Sequence, residues 1–142
     1  MTAAYEPDNI FAKILRGELP SHRVYEDDHV VAFMDVMPQA EGHTLVVPKA
    51  ASRNLLDADP AIFGALFAAV QRIAVAARKA FSADGVLICQ FNEAAAGQTV
   101  YHLHVHVIPR VEGVSLKAHG RGKEDDSVLA ANARKLRAAL GT

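Results

Sequence analysis

Apolar and polar positions change period several times along this 142-residue chain, and each change marks an element. Ile10, Phe11, Ile14 and Leu15 recur at helical spacing behind Asp8 and Asn9, either of which can cap a helix, and Gly17 can stop it. The spacing predicts a short helix over 10–16 with one apolar face. Two β-prone runs follow, 23–26 and 30–35, joined as a hairpin by Asp27-Asp28-His29. A loop over 36–42 is broken by Pro38 and Gly42, and 43–48 reads as a third strand. Asp59 and Pro60 form a strong helix start, with Asp59 as N-cap and Pro60 at the first helical position. From there Ile62, Phe63, Leu66, Phe67, Val70, Ile73 and Ala77 mark a long amphipathic helix ending near Phe81. Its polar side carries Gln71, Arg72, Arg78 and Lys79, and the cations gather at the C-terminal end, where they complement the macrodipole.

Asp84-Gly85 then turns the chain into a fourth strand over 86–92, and a loop of small residues, 93–98, leads to a fifth over 102–108. Strands joined in this way are expected to lie antiparallel, with the end of the fourth beside the start of the fifth. Past Arg110 the periodicity dissolves: Gly113, Gly120 and Gly122 mix with Lys117, Arg121 and Lys123 in a loop over 111–124. Asp125, Asp126 and Ser127 offer caps for a last helix over 125–140, whose apolar positions are Val128, Leu129, Leu136 and Leu140. The expected fold class is α+β: a mostly antiparallel five-stranded sheet, a long central helix, and short N- and C-terminal helices. The length suits one domain over 1–142, with its core at about 9–110.

Composition narrows the functional classes. Hydrophobic residues make up 51% and charged residues 22%, an ordinary globular mixture, and the formal net charge of −1 supplies no basic field for nucleic acid or an anionic membrane. No apolar run approaches the ~18 residues that a membrane span needs, and the first residues show neither a basic nor an apolar leader segment. The expectation is a cytoplasmic protein that binds neither nucleic acid nor membrane. Cys89 is the single cysteine, so an intrachain disulfide is impossible, and it reads as a small buried apolar residue.

One stretch stands apart. In His102-Leu103-His104-Val105-His106-Val107-Ile108 three histidines alternate with aliphatic residues. Strand geometry would set the imidazoles along one face and Leu103, Val105 and Val107 along the other. Three uses compete. A half-exposed row without a role is disfavoured, because three imidazoles abreast are costly to bury and repel when charged. A metal site is chemically reasonable, but three same-face positions span ~13 Å, too far to converge easily on one ion, and no cysteine or carboxylate pair stands at ligand spacing beside them. The third use is nucleophilic attack at phosphorus. One imidazole nitrogen held as a donor leaves the other as a nucleophile, and neighbouring histidines supply donors for the developing oxyanion and a proton for the leaving group. His104, flanked by His102 and His106 and preceded by Gln98 and Thr99, has those parts.

The same seven residues match the signature of the histidine triad (HIT) family, His-φ-His-φ-His-φ-φ with φ apolar. Further segments resemble the family in order: 9–14, 32–35, 42–49, Asn92 and 97–101, so the resemblance runs from about Asn9 to Arg110, and it is nearest to bacterial Hint-like members. It implies a HIT-like fold and cleavage at the α-phosphorus of a purine nucleotide or nucleotide conjugate, as in a nucleoside phosphoramidase, through a covalent nucleotidyl-histidine. His104 would then be the nucleophile, His106 would contact the phosphate or leaving group, and His102 and His43 would orient and relay protons. Asn92, Gln98 and Thr99 would lie along the phosphate path, Asp35 would accept from the ribose hydroxyls, and Ile10, Phe11, Ile14 and Phe33 would wall the base. The resemblance also implies a homodimer joined through sheets and the long helix, and it calls for no cofactor. Some bacterial relatives carry a zinc held by a Cys-x-x-Cys pair near the first helix. Asn9 and Ala12 stand at those positions here, so no metal is expected. Gly97-Gln98-Thr99 with Pro109-Arg110 also resembles the dinucleoside polyphosphate hydrolase branch. A nucleotide- or partner-binding module with incidental hydrolysis is the rival of a different class.

Overall fold

The computed structural model describes residues 4–118 and 122–141. A single antiparallel sheet of five strands carries everything else: β1 (Arg23–Glu26), β2 (Val30–Met34), β3 (Thr44–Pro48), β4 (Gly85–Cys89) and β5 (Val105–Arg110), in the order β1-β2-β3-β5-β4. Among the described residues three α-helices pack around it: α1 (Ile10–Leu15), α2 (Phe63–Ala80) and α3 (Asp126–Leu140).

The sheet centre is covered on both faces, which is why every residue of β2 and β3 is buried. Along β2, Val30, Ala32 and Met34 point to the α2–α3 side, where Leu66, Val70, Ile73, Leu129 and Leu136 complete the main core. Val31 and Phe33 point the other way, with Leu45 and Val47 of β3, into a smaller cluster closed by Phe11 and Ile14 of α1. The alternation of a strand thus assigns each residue to one of two layers. The cleft lies on the α1 side.

α1 is capped by Asn9, whose Oδ1 accepts from Ala12 N at 2.9 Å. Asp59 caps a 3-10 turn (Pro60–Ile62) rather than α2 itself, which takes over at Phe63. Contrary to the expectation from apolar runs, the helical stretch Pro60–Ala80 is long and apolar enough, by length and composition alone, to span a membrane. One side of α2 packs on the sheet through Leu66, Ala69, Val70, Ile73, Ala76 and Ala77.

Two expectations about strands need correction. The ordered strand starts at Val105, not at His102, because Pro48, which would lie opposite, has no N–H to extend the ladder. Leu103 N instead donates to Ser52 O at 3.0 Å. The alternation survives the departure, since Leu103 still joins Val105 and Val107 in the α2-side core. The fourth strand ends at Cys89 rather than Asn92, and because it is the sheet's edge Cys89 is only half-buried. That partial burial pushes its thiol pKa up.

Candidate active site

His43 enters β3 from a tight loop at Gly42, whose backbone is left-handed (φ +86°) and lies so close to the Phe81 ring that a Cβ there would sit 2.5 Å from it. The His43 ring is fully buried, and its Nδ1 accepts from the main-chain N–H of Gln39 at 3.1 Å. A neutral imidazole accepting at Nδ1 carries its proton on Nε2. That Nε2–H lies 2.9 Å from His106 Nδ1 and 3.4 Å from Asp35 Oδ2. His106, accepting at Nδ1, in turn presents Nε2 as a donor. The Gln39 turn is itself braced by the segment after β5: Lys117 N donates to Gln39 O at 2.8 Å and Gln39 Nε2 to Lys117 O at 3.2 Å.

The opposite tautomer is imposed on His104. Its Nδ1 lies 2.6 Å from the carbonyl oxygen of His102, and a carbonyl only accepts, so Nδ1 holds the proton and Nε2 holds the lone pair. Phe11 stands edge-on to this ring (centroids 4.8 Å, planes 89° apart), and His106 lies beyond it at 5.0 Å. His102 is anchored at both nitrogens: Nε2 donates to Pro48 O at 2.8 Å, and Nδ1 accepts from the Tyr5 hydroxyl at 2.6 Å. Burial holds the His102 pKa below the usual histidine value, with the Pro48 carbonyl partly opposing that shift. The three histidines are therefore not equivalent.

A cleft of about 590 Å³, including its open mouth, runs between α1 and the sheet. Its walls gather Ile10, Phe11, Ile14, Phe33, Asp35, Thr99, His104 and His106, together with Val36, Met37 and Val100. Asp35 reaches it from the end of β2, with Oδ1 accepting from Met37 N at 2.8 Å. His43 and His102 lie behind the lining and touch it through His106 and His104.

Asn92 and Gln98 are not among the lining residues. Gln98 is buried, and its amide makes four hydrogen bonds: Oε1 accepts from Glu93 N (2.8 Å) and Asn54 Nδ2 (3.1 Å), while Nε2 donates to Arg53 O (2.8 Å) and Val100 O (3.0 Å). Asn92 Oδ1 accepts from Leu55 N and from Gln90 Nε2, both at 2.9 Å. These two amides staple the loop before the histidines to the segment 53–55. The Arg53 guanidinium completes the clamp, with two bonds to Glu93 (2.8 and 3.0 Å) and its face over the Tyr101 ring at 4.0 Å. Arg53 holds the Glu93 carboxyl below its usual range. Of the three residues expected along a phosphate path, Thr99 alone faces the cleft.

Sequence reasoning missed Tyr5, Gln39, Arg53, Asn54 and Glu93. Gln39 contributes through its main chain, for which no side-chain signal exists, and Tyr5 acts from 97 residues away. One cluster has a metal's donor set: atoms of Asp35, His43 and His106 all lie within 4.8 Å of one another. An ion at this position would have to displace the proton between His43 and His106. Carboxylate and paired imidazoles are suited to Zn²⁺, so the donor chemistry is competent even though the expected sequence pattern for zinc is absent.

A HIT domain model matches residues 16–113. A Hit-like protein from Bartonella henselae, whose crystal structure holds an unknown ligand and which is said to be involved in cell-cycle regulation, superposes with a TM-score of 0.90 at 59% identity, covering 96% of this chain and 99% of that one. A zinc-bound histidine triad protein from Mycobacterium smegmatis superposes with a TM-score of 0.85 at 38% identity over 94% of each chain. The adenylylsulfatase HINT3 of Arabidopsis thaliana is 37% identical over 111 residues, which make up 78% of this chain and 56% of that protein.

Proposed function

Because this chain belongs to the histidine triad (HIT) family, we propose that it is a nucleotide hydrolase cleaving at the α-phosphorus of a purine nucleotide conjugate, with nucleoside phosphoramidates as the favoured substrates. The observation that carries this reading is the tautomer of His104. Its Nδ1–H is committed to the His102 carbonyl, so the nucleophilic lone pair sits on Nε2 of a residue lining the cleft.

The chemistry balances in two steps. His104 Nε2 attacks phosphorus, a P–N bond forms, and the bond to the leaving group breaks as the leaving group takes a proton. Water then attacks the nucleotidyl-histidine, the P–N bond breaks, and the nucleoside monophosphate departs. His106, with Nε2 as donor, is placed beside His104 to bind a non-bridging oxygen or protonate the leaving group. His43 keeps His106 in that tautomer, and Asp35 stands at the cleft wall where a carboxylate can accept from a vicinal diol. Phe11, Ile14 and Phe33 supply the apolar wall for a base, and the half-exposed Ile10 forms its outer lip.

The relative named as an adenylylsulfatase supports cutting at the same phosphorus with a different leaving group. Turnover of an adenosine phosphoramidate, adenylyl sulfate and a dinucleoside polyphosphate, each compared between wild type and His104→Ala, separates these substrates. Tight nucleotide binding with background turnover on all three would favour a binding module instead.

The proposed assembly is a homodimer built on the β4 edge and α2. Leu87 and Ile88 of that edge strand are more than a third exposed, and Phe67 (46%) and Val75 (68%) project from α2. Ile88→Lys is expected to convert a dimer to monomer in sedimentation equilibrium. A wild-type monomer at micromolar concentration would refute the assembly.

A further inference from the structure

We infer that Tyr5 is a positioning residue for the nucleophile, acting through His102. The inference rests on the reading of His104 as the attacking group and goes beyond it, because Tyr5 lies outside the triad and outside the cleft lining.

The Tyr5 hydroxyl donates to His102 Nδ1 at 2.6 Å, with the two rings edge to face at 5.6 Å. His102 Nε2 donates to Pro48 O at 2.8 Å, so a ring that is 99% buried is gripped at both ends by segments far apart in sequence. The main-chain carbonyl of this same residue is the acceptor that keeps the proton on Nδ1 of His104. Fixing the His102 ring fixes residue 102, and the direction of its carbonyl decides which nitrogen of His104 carries the lone pair.

The segment bearing Tyr5 is tied down. Asn9 donates to Glu6 O from both its main-chain N (3.2 Å) and its Nδ2 (2.8 Å), and Arg16 Nη1 donates to Pro7 O at 2.7 Å. These bonds join Tyr5 to α1, whose Phe11 packs edge-on against His104. One rigid piece of chain therefore sets the nucleophile from two sides: Phe11 by contact with its ring, Tyr5 through the tautomer-setting carbonyl. Replacing the hydroxyl with hydrogen leaves a buried acceptor nitrogen on His102 without its donor. The His102 ring and carbonyl then relax, and part of the His104 population moves its proton to Nε2, where it cannot attack phosphorus.

The test compares Tyr5→Phe with wild type and with His104→Ala, using an adenosine phosphoramidate and the ¹⁵N signals of the imidazoles. The expected result for Tyr5→Phe is a kcat lower by about three- to tenfold, the range of one neutral hydrogen bond, with KM changed by less than about twofold. The His104 Nε2 signal should shift from the unprotonated position towards that of a tautomer mixture. In a His102→Ala background the same substitution should cause no further loss. An unchanged kcat and spectrum in Tyr5→Phe, with His104→Ala inactive, would overturn this inference and leave the nucleophile intact. An equal loss in the His102→Ala background, or a lowered melting temperature with unaltered kcat, would also overturn it. Full activity in His104→Ala would instead remove the reading on which it rests.

Discussion

Residues 102–107 send alternate side chains into two buried layers, and the layers hold their contents by different physics. On the α2 side Leu103, Val105 and Val107 are sealed among aliphatic residues, where attraction is non-directional and shape is the main constraint. On the α1 side His102, His104 and His106 are also buried, yet each has at least one ring nitrogen aimed at a specified partner. A well-packed aliphatic layer tolerates volume-conserving exchange. An imidazole layer does not, because moving one proton changes which atom is nucleophilic.

The comparison can be broken by substituting neighbours on opposite faces. His104→Ala should lower turnover of an adenosine phosphoramidate by at least ~10³-fold while leaving the melting temperature close to wild type, as read by steady-state kinetics and calorimetry. A comparable drop in stability would mean that His104 is chiefly a packing residue. Leu103→Ala, one position away, should cost about 3 kcal/mol in denaturant unfolding while kcat, measured well below the transition, stays within a few-fold of wild type. A smaller effect sharpens the picture at the loop that approaches the row. Gln98→Ala should cost about 2 kcal/mol, because it strips partners from Glu93, Asn54, Arg53 and Val100, and should raise KM only modestly. A large KM increase at unchanged stability would instead assign Gln98 to the phosphate.

How much of this was legible in the sequence follows the same division. The two-residue period identified the faces of 102–108, and helical spacing with Asn9 and Asp59 located α1 and the start of the long helical stretch. The antiparallel pairing of β4 with β5 was expected from a short loop and holds, although the connection, residues 90–104, is longer than expected and contains a 3-10 turn (Ala94–Ala96). The start of β5 was not legible, because it depends on Pro48 in another strand and on a carbonyl of Ser52. Cys89 looked like core because its neighbours are apolar, but edge position is a property of the sheet order. In the site, the types of residue were readable and their bonding was not. Gln98 reads equally well as a phosphate ligand or a loop staple until its four partners are placed. The donor to His43 is a main-chain N–H and the acceptor from His104 a main-chain carbonyl, and neither leaves a mark on residue identity. Tyr5 lay outside the stretch of family resemblance altogether.

The central claim is that His104 carries the nucleotidyl group, and trapping that intermediate tests it most directly. Wild-type protein is mixed with an excess of adenosine phosphoramidate, quenched within the first turnover, digested and read by mass spectrometry under conditions that preserve P–N bonds. The account predicts an adenylyl group on His104 that decays once substrate is exhausted and never forms in His104→Ala. Turnover without any adduct, or an adduct on His102, His106 or His43, would contradict it.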